Sequence, residues 1–316
     1  MSPSQESESQ LAVPGSPSGV ALAAAAPDLA AQRRPLEGVI KLSLIACALA
    51  SVLITVGILV ALVEPVINFF GEVSPGQFFA TEGHFAVLPL IGGTLMTTAI
   101  SLCVAVPLGL GAAMYLSEYA SKKSRKWLKP CVELLAGVPS VVYGFFGLYF
   151  VTPKLLQGIL NLEVNFTNAL AAGLVLGVMI VPTVASLSED ALSAVPQAMR
   201  QGSLAMGANR MQTTLRVVFP AALSGIAASI VLGISRAVGE TMIVALVAGA
   251  RKNLSFDPRE PMQTMTGFIA QTAGGENPVG SVDYNMLFAV ALLLFVITFV
   301  INMISIAIVR RFRQEY

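Results

Sequence analysis

A charged pair lies inside the fifth long apolar stretch of this 316-residue chain. Arg236 and Glu240 sit in the run SRAVGET, between Ser235 and Thr241, with aliphatic residues on both sides. Ionised groups are costly in hydrocarbon, so they usually face the interior of a helix bundle or a watery path. Residues four apart share one face of a helix, which predicts that Arg236 and Glu240 contact each other. The sequence therefore predicts a paired cation and anion at membrane depth, a feature typical of solute passage.

The composition is that of a polytopic membrane protein. Hydrophobic residues make up 55% of the chain and charged residues only 12%, whereas soluble domains carry about 25% charged residues. A net charge of +1 argues against a nucleic-acid-binding protein, which would present a basic face. Because the three cysteines show no metal-ligand spacing and there is a single histidine, we expect neither a metal site nor a cofactor.

Six stretches are long and apolar enough to cross a bilayer, which predicts an all-α fold with six transmembrane helices. The predicted spans are Leu42–Phe69, Leu88–Leu116, Cys131–Val151, Asn168–Leu187, Ala221–Ala248 and Tyr284–Ile308. The third is short and contains Glu133 and Pro139. The first 38 residues are rich in Ser, Pro, Gly, Gln and Ala, a composition that predicts a disordered tail.

Basic residues favour one side of the predicted bundle. Fourteen of the 19 Lys and Arg residues lie near the two chain ends or in the loops after the second and fourth spans, and four lie in the alternate loops. Positive residues remain cytoplasmic in membrane proteins. We therefore expect a multi-pass protein with both termini in the cytoplasm.

The loop between the fourth and fifth spans carries signals for a short cytoplasmic helix. Pro196 suits the first turn of a helix, and Gly207 suits the position that ends one. Met199, Leu204 and Met206 give this helix an apolar surface that could dock into a partner, because methionine adapts to irregular grooves. The alternative is that the loop lies on its own bundle or on the membrane surface.

Three runs of residues resemble a known family. Gly207, Val217 and Pro220 match the cytoplasmic signature of ABC importer permeases, although Gln201-Gly202-Ser203 stands where Glu-Ala-Ala is usual. The run LAGVPSVVYGFFGL, which begins at Leu135, resembles phosphate-specific importer permeases. The run SRAVGETM resembles their PstC-type subunit in particular. The resemblance extends from roughly residue 40 to the C terminus.

The resemblance implies a type I ABC importer permease that moves inorganic phosphate through the bacterial inner membrane. Its implied partners are ATP-binding cassette ATPase subunits, a second permease of the PstA type and a periplasmic phosphate-binding protein, besides phosphate and membrane lipid. It implies a tail at 1–38, a first transmembrane helix with an outer loop at 39–90, a permease domain at 91–310 and a cytoplasmic C terminus at 311–316. The implied ATPase-coupling residues are Gln201, Gly202, Ser203, Met206, Gly207, Val217 and Pro220.

The charged pair fits the chemistry of phosphate. A guanidinium is always charged and makes bidentate contacts with phosphate oxygens, so we expect phosphate to pass near Arg236. Glu240 would hold the arginine side chain, and Ser235 and Thr241 would add hydroxyl contacts. The alternative is a structural ion pair between helices that never meets the anion.

Other function classes fit the sequence less well. The chain contains no GxxxxGK[ST] phosphate-binding loop, so we expect no ATPase site of its own and no enzymatic activity. A secondary oxyanion transporter that works without an ATPase is the alternative function, although such proteins usually show inverted repeats, and none is evident. Phosphate itself rests on the resemblance, since an Arg–Glu pair would also suit sulfate.

Overall fold

The structure is a computed structural model that describes residues 35–312, without the side chains of 35–37, 308 and 310–312. Its secondary structure is helical throughout this range, and the predicted all-α fold is confirmed. The chain forms two compact units, one ending at Gly57 and the other beginning at Ile58. Most of the predicted tail at 1–38 and of the C terminus at 311–316 lies outside the described residues.

The first six helices are α1 (Pro35–Glu72), α2 (Pro75–Phe78), α3 (Leu88–Met114), α4 (Lys122–Ala136), α5 (Ser140–Phe146) and α6 (Ala169–Ser193). The next seven are α7 (Gln197–Ala205), α8 (Arg210–Thr213), α9 (Phe219–Ala221), α10 (Leu223–Gly239), α11 (Met242–Val247), α12 (Met265–Ala273) and α13 (Val282–Phe312). Segments of π-helix extend α3, α5 and α8 at Tyr115–Tyr119, Gly147–Ile159 and Thr214–Val218.

Four helices among the described residues are long and apolar enough to cross a membrane. They are Gly38–Glu72, Leu88–Tyr119, Ala169–Ser193 and Val282–Ala307, and the number becomes six if each of two bent helix pairs counts as one span. These four agree with the first, second, fourth and sixth predicted spans. The third and fifth predicted spans correspond to the bent pairs.

The third predicted span, Cys131–Val151, is wrong as a single helix. Helix α4 ends at Ala136, and its axis makes an angle of 87° with the helical segment Ser140–Ile159. Pro139 lies between the two with an extended backbone, and proline disfavours the helical conformation in the residue before it. The predicted span is therefore a bent pair of helical segments, Lys122–Ala136 and Ser140–Ile159, which is long and apolar enough to cross a membrane only when the two are taken together.

The fifth predicted span, Ala221–Ala248, is also interrupted. A bend of 70° separates Arg210–Ala221 from α10. A second break follows α10, because the backbone at Glu240 is extended (φ −68°, ψ 134°) before α11 begins. Only 17 residues of this apolar stretch form the continuous helix α10.

The N-terminal unit presents its apolar side chains outward. Every described side chain from residue 38 to residue 57 is exposed, although the helix is strongly apolar. Helices with apolar residues all round are buried in a large core or a membrane. An all-exposed apolar surface is therefore suited to contact with lipid.

Helices α3 and α6 pack against each other along most of their length, and glycine permits the close approach. A methyl group added at Gly177 of α6 would lie 2.8 Å from Val104 Cβ, and one added at Gly109 of α3 would lie 2.8 Å from Val184 Cβ. Both distances are shorter than van der Waals contact. Small residues at helix contacts are what bring transmembrane helices together in lipid, so this pair forms the scaffold of the second unit.

We predict that Gly109→Ala destabilises the protein, whereas Gly111→Ala does not. Both glycines lie on α3, but a methyl group at Gly111 meets no atom within 4 Å. Overpacking a tight contact costs about 1–3 kcal/mol, which lowers the melting temperature of the purified protein in detergent. Equal melting temperatures for the two variants would show that the α3–α6 contact is loose.

Candidate functional site

The predicted contact between Arg236 and Glu240 is wrong. Helix α10 ends at Gly239, and Glu240 follows in an extended conformation, so the four-residue spacing does not place the two side chains on one helical face. Among the described residues, the ion pairs with atoms within 4 Å do not include Arg236 with Glu240. Each side chain has a different partner.

Glu240 caps the helix that follows it. Its Oε1 accepts hydrogen bonds from the backbone N–H groups of Met242 (3.1 Å) and Ile243 (3.3 Å), at the start of α11. The backbone carbonyl of Glu240 accepts a hydrogen bond of 2.6 Å from the Thr266 hydroxyl on α12. Helix termini leave backbone groups without intrahelical partners, and here side chains supply those partners. A carboxylate at a helix N-terminus is also favoured by the helix dipole.

Arg236 is exposed and is oriented by α6. Its Nη1 donates a 3.0 Å hydrogen bond to the Thr183 hydroxyl. Among the described residues 35–312, the guanidinium makes no other hydrogen bond. A guanidinium has five N–H donors. Several N–H donors of Arg236 therefore have no hydrogen-bond partner within the described residues.

Ser235 and Thr241, the two hydroxyl residues of the predicted path, form hydrogen bonds with groups other than the Arg236 guanidinium. Ser235 donates a 2.6 Å hydrogen bond to Asn302 Oδ1 and so ties α10 to α13. Thr241 lies in the break and approaches the carbonyl of Gly239 at 3.4 Å. Sequence reasoning missed Thr183 and Asn302. A carboxamide within the apolar sixth span was an available signal for Asn302.

The short helix forms where the loop signals predict it. Helix α7 follows Pro196, which lies one residue before the helix rather than in its first turn. Gly207 has a φ of +85°, a conformation that glycine adopts readily at the end of a helix. Met206 is 89% exposed and Leu204 is 50% exposed, so an apolar surface projects from this end of the protein.

The other predicted coupling residues surround this surface. Gln201 and Gly202 are exposed on α7, and the Ser203 hydroxyl lies 3.0 Å from the Thr213 hydroxyl. Val217 is half-buried, and Pro220 is exposed in α9. The segment is thus a set of short helices held together by side-chain contacts.

Two ion-pair clusters attach this segment and α4 to α6. Arg200 of α7 pairs with Glu118 at 3.0 Å and donates a 2.7 Å hydrogen bond to the carbonyl of Leu192. Glu189 of α6 is fully buried and binds both Arg125 and Lys129 of α4. Removing one side of a buried ion pair is costly, so these contacts hold their elements in fixed positions. These ion pairs join residues far apart in the sequence, and no local pattern predicts them.

The loop between α11 and α12 is held by Lys252. Its ammonium donates a 2.6 Å hydrogen bond to the carbonyl of His84 and lies 4.7 Å from the centre of the Phe268 ring. Burial lowers the pKa of Lys252. On the same loop, hydrogen bonds from Arg259 lower the pKa of Asp257 to about 2.

Among the described residues, no group of three or more His, Cys, Asp or Glu side chains is arranged to bind a metal.

Comparison with protein families gives a match over most of the second unit. Residues 105–314 match the family described as the inner membrane component of binding-protein-dependent transport systems. The chain is 37% identical to the probable ABC transporter permease protein YqgH of Bacillus subtilis, with 80% of this chain and 84% of that protein covered. It is 35% identical to the phosphate transport system permease protein PstC 1 of Mycobacterium tuberculosis, with 77% and 78% covered. It is 34% identical to PstC of Mesorhizobium japonicum, with 70% and 72% covered.

Solved structures with the same fold include chains of ABC transporters. A bacterial alginate ABC transporter chain is 15% identical at a TM-score of 0.64, with 87% of this chain and 96% of that chain covered. A chain of the MetNI methionine ABC transporter is 21% identical at a TM-score of 0.54, with 74% and 100% covered. These similarities concern the fold alone.

The contacts of Glu240 generate a prediction about stability. Glu240→Ala removes the acceptor for two backbone N–H groups and should destabilise the protein by about 0.5–2 kcal/mol, the usual cost of losing a cap. Glu240→Gln keeps an oxygen at the same place and should retain most of the stability. Thermal unfolding of the three purified proteins measures this difference. A Gln variant as unstable as the Ala variant would mean that the charge, rather than the cap, stabilises the break.

Proposed function

Because the chain belongs to the family of inner-membrane components of binding-protein-dependent transport systems, we propose that it moves inorganic phosphate into the cell. Family membership makes it a multi-pass permease of an ABC importer, which lacks an ATPase domain and works with an ATPase and a periplasmic binding protein. Family membership therefore argues against the alternative function, a secondary oxyanion transporter that works without an ATPase.

Phosphate as the solute is supported by similarity and by chemistry. Relatives at 34% and 35% identity are phosphate transport system permeases. A phosphate ion needs compensating charge and hydrogen-bond donors in order to cross hydrocarbon. The exposed guanidinium of Arg236, within an apolar stretch, provides both. This exposed arginine is the observation on which the proposal depends.

In the proposed path, Arg236 binds the anion and its neighbours hold the path open. Thr183 takes one N–H of the guanidinium and orients the remaining donors toward the exposed side of α10. Glu240 and Thr241 shape the break at the end of α10, with Glu240 acting as a helix cap rather than as a clamp on the arginine. Ser235 keeps α10 in register with α13.

The exposed face of α10 is completed by a second permease subunit, which we take to be of the PstA type. Phosphate passes along the seam between the two subunits. The permease domain extends over residues 91–310, and both termini are cytoplasmic, since the basic residues cluster on that side. A periplasmic phosphate-binding protein delivers the anion to the outer loops.

The ATPase docks on the segment that contains α7. Its contact surface consists of Gln201, Gly202, Ser203, Met206, Gly207, Val217 and Pro220. The exposed Met206 provides an adaptable apolar anchor, and Arg200 transmits movement to the ends of α3 and α6 through Glu118 and Leu192. Rigid-body displacement of packed helices is a common way to open and close such a path.

We expect Arg236→Lys to reduce phosphate uptake strongly. Lysine keeps the positive charge but loses the planar fork that binds two phosphate oxygens. Hydrogen bonds to charged groups contribute about 1.5–3 kcal/mol, so uptake at limiting phosphate should fall by roughly ten- to a hundredfold. The measurement is labelled phosphate uptake by a deletion strain that carries the variant.

Two comparisons make this uptake experiment specific. Arg259→Lys changes an exposed arginine that pairs with Asp257. Lysine keeps the positive charge that this loop presents to a binding protein, so uptake should stay near that of the unchanged protein. An excess of unlabelled sulfate should leave phosphate uptake unaltered. Full uptake by Arg236→Lys would exclude bidentate recognition, and equal competition by sulfate would exclude phosphate as the preferred anion.

We expect Met206→Glu to release the ATPase without unfolding the permease. A charge buried in an apolar contact is unfavourable, and loss of a central interface anchor costs about 2 kcal/mol or more. The readout is the amount of ATPase that co-purifies with the tagged permease. Val279→Glu is the matched control because Val279 is also highly exposed, at 83%, but lies in an outer loop. Undiminished co-purification with Met206→Glu would place the docking surface elsewhere.

A further inference from the structure

Helix α4 carries an apolar face that the rest of the described protein leaves open. Trp127 is 70% exposed and Leu134 is 74% exposed, and Leu128 and Leu135 are also exposed. At 100° per residue these four side chains fall within about one third of the helix circumference. The helix therefore presents a contiguous apolar strip instead of scattered apolar residues.

The rest of the α4 circumference is mainly basic, although it includes Glu133, and its cations divide into two groups. Arg125 and Lys129 bind the buried carboxylate of Glu189. The second group consists of Lys122, Lys123 and Lys126, all exposed. Within the part of the chain that the structure describes, these three lysines have no acidic partner within 4 Å. Three unpaired cations next to an apolar strip favour an anionic partner with an apolar body.

The position of α4 matches the surface of a membrane. Its axis is at 87° to the segment Ser140–Ile159, so α4 runs along the membrane plane if that segment crosses the bilayer. Glu189 lies near the C-terminal end of α6, which leads directly to α7. The ion pairs with Arg125 and Lys129 therefore place α4 at the same membrane face as the segment that docks the ATPase.

We propose that α4 is an interfacial helix that binds anionic phospholipids of the cytoplasmic leaflet. Trp127 and the neighbouring leucines enter the boundary between headgroups and acyl chains, where aromatic residues are favoured. Lys122, Lys123 and Lys126 bind the lipid phosphates. The buried bridge to Glu189 fixes α6 to this lipid-bound helix, so the membrane surface holds the end of α6 from which α7 extends.

The chain contains a single tryptophan, Trp127, so its fluorescence reports on α4 alone. The full chain is reconstituted into phosphatidylcholine vesicles that contain a fixed fraction of brominated lipid, either phosphatidylglycerol or phosphatidylcholine. Bromine on the acyl chains quenches a tryptophan that is in contact with them. We expect strong quenching in both cases and stronger quenching by the brominated phosphatidylglycerol.

The variant Lys122→Gln/Lys123→Gln/Lys126→Gln tests the headgroup contacts. Preference for phosphatidylglycerol should fall by about fivefold for each lysine removed, while quenching by phosphatidylcholine persists. Because these side chains are exposed and unpaired, the variant is expected to fold normally. The control Lys154→Gln changes an exposed lysine near the other end of the third span and should keep the full preference.

Three results would overturn the proposal. Trp127 emission at the wavelength of a water-exposed tryptophan, without quenching, would place α4 away from lipid. Equal quenching by both brominated lipids, unchanged in the triple variant, would exclude recognition of anionic headgroups. The third result is that the apolar strip of α4 is shielded from lipid in the assembled importer. A spin label attached to the variant Leu134→Cys, in a background without other cysteines, would detect this shielding. Such shielding would mean that a second permease subunit covers the strip.

Discussion

A membrane interior offers no water to hydrogen-bond the backbone, so every interruption of a helix must bring its own partners. The break after α10 satisfies this constraint. The Glu240 carboxylate accepts from two N–H groups at the start of α11, and Thr266 donates to the Glu240 carbonyl. The same constraint separates Arg236 from Glu240, because a carboxylate that caps α11 no longer faces the preceding helix. The arginine is thereby left exposed on α10, where its side chain hydrogen-bonds to Thr183 of α6 among the residues that the structure describes.

Glu189 and Arg236 show two contrasting ways in which this protein places a charged side chain. Glu189 is fully buried and bound by two cations, an arrangement that holds α4 and α6 in one geometry. Arg236 is exposed and makes one side-chain hydrogen bond within the described residues, which leaves donors for the anion in the proposed path. The buried cluster thus serves as scaffold, whereas the exposed arginine is the candidate for transport. Both arrangements need only a few charged side chains at particular positions, which is consistent with the low fraction of charged residues in the chain.

Long-range hydrophobicity and local turn chemistry could be predicted from the sequence. The spans that became α1, α3, α6 and α13 follow directly from their apolar length, and Gly207 marks the end of α7 as expected. The helix breaks at Pro139 and Glu240 were missed because the average hydrophobicity of a segment does not show whether its backbone is continuous. The predicted contact of Arg236 with Glu240 was wrong for a related reason, because a spacing of four residues places two side chains on one face only in an uninterrupted helix.

The sequence by itself determined the class of protein, the approximate spans, the basic side and the short helix before Gly207. These properties depend on composition and on residues close together in the chain. Only the tertiary structure decided that Thr183 orients Arg236, that Asn302 binds Ser235 and that Glu189 is buried beneath α4. These partners lie 53, 67 and at least 60 positions apart. Such contacts depend on which helices pack together and at what angle, and local sequence preference carries no information about either.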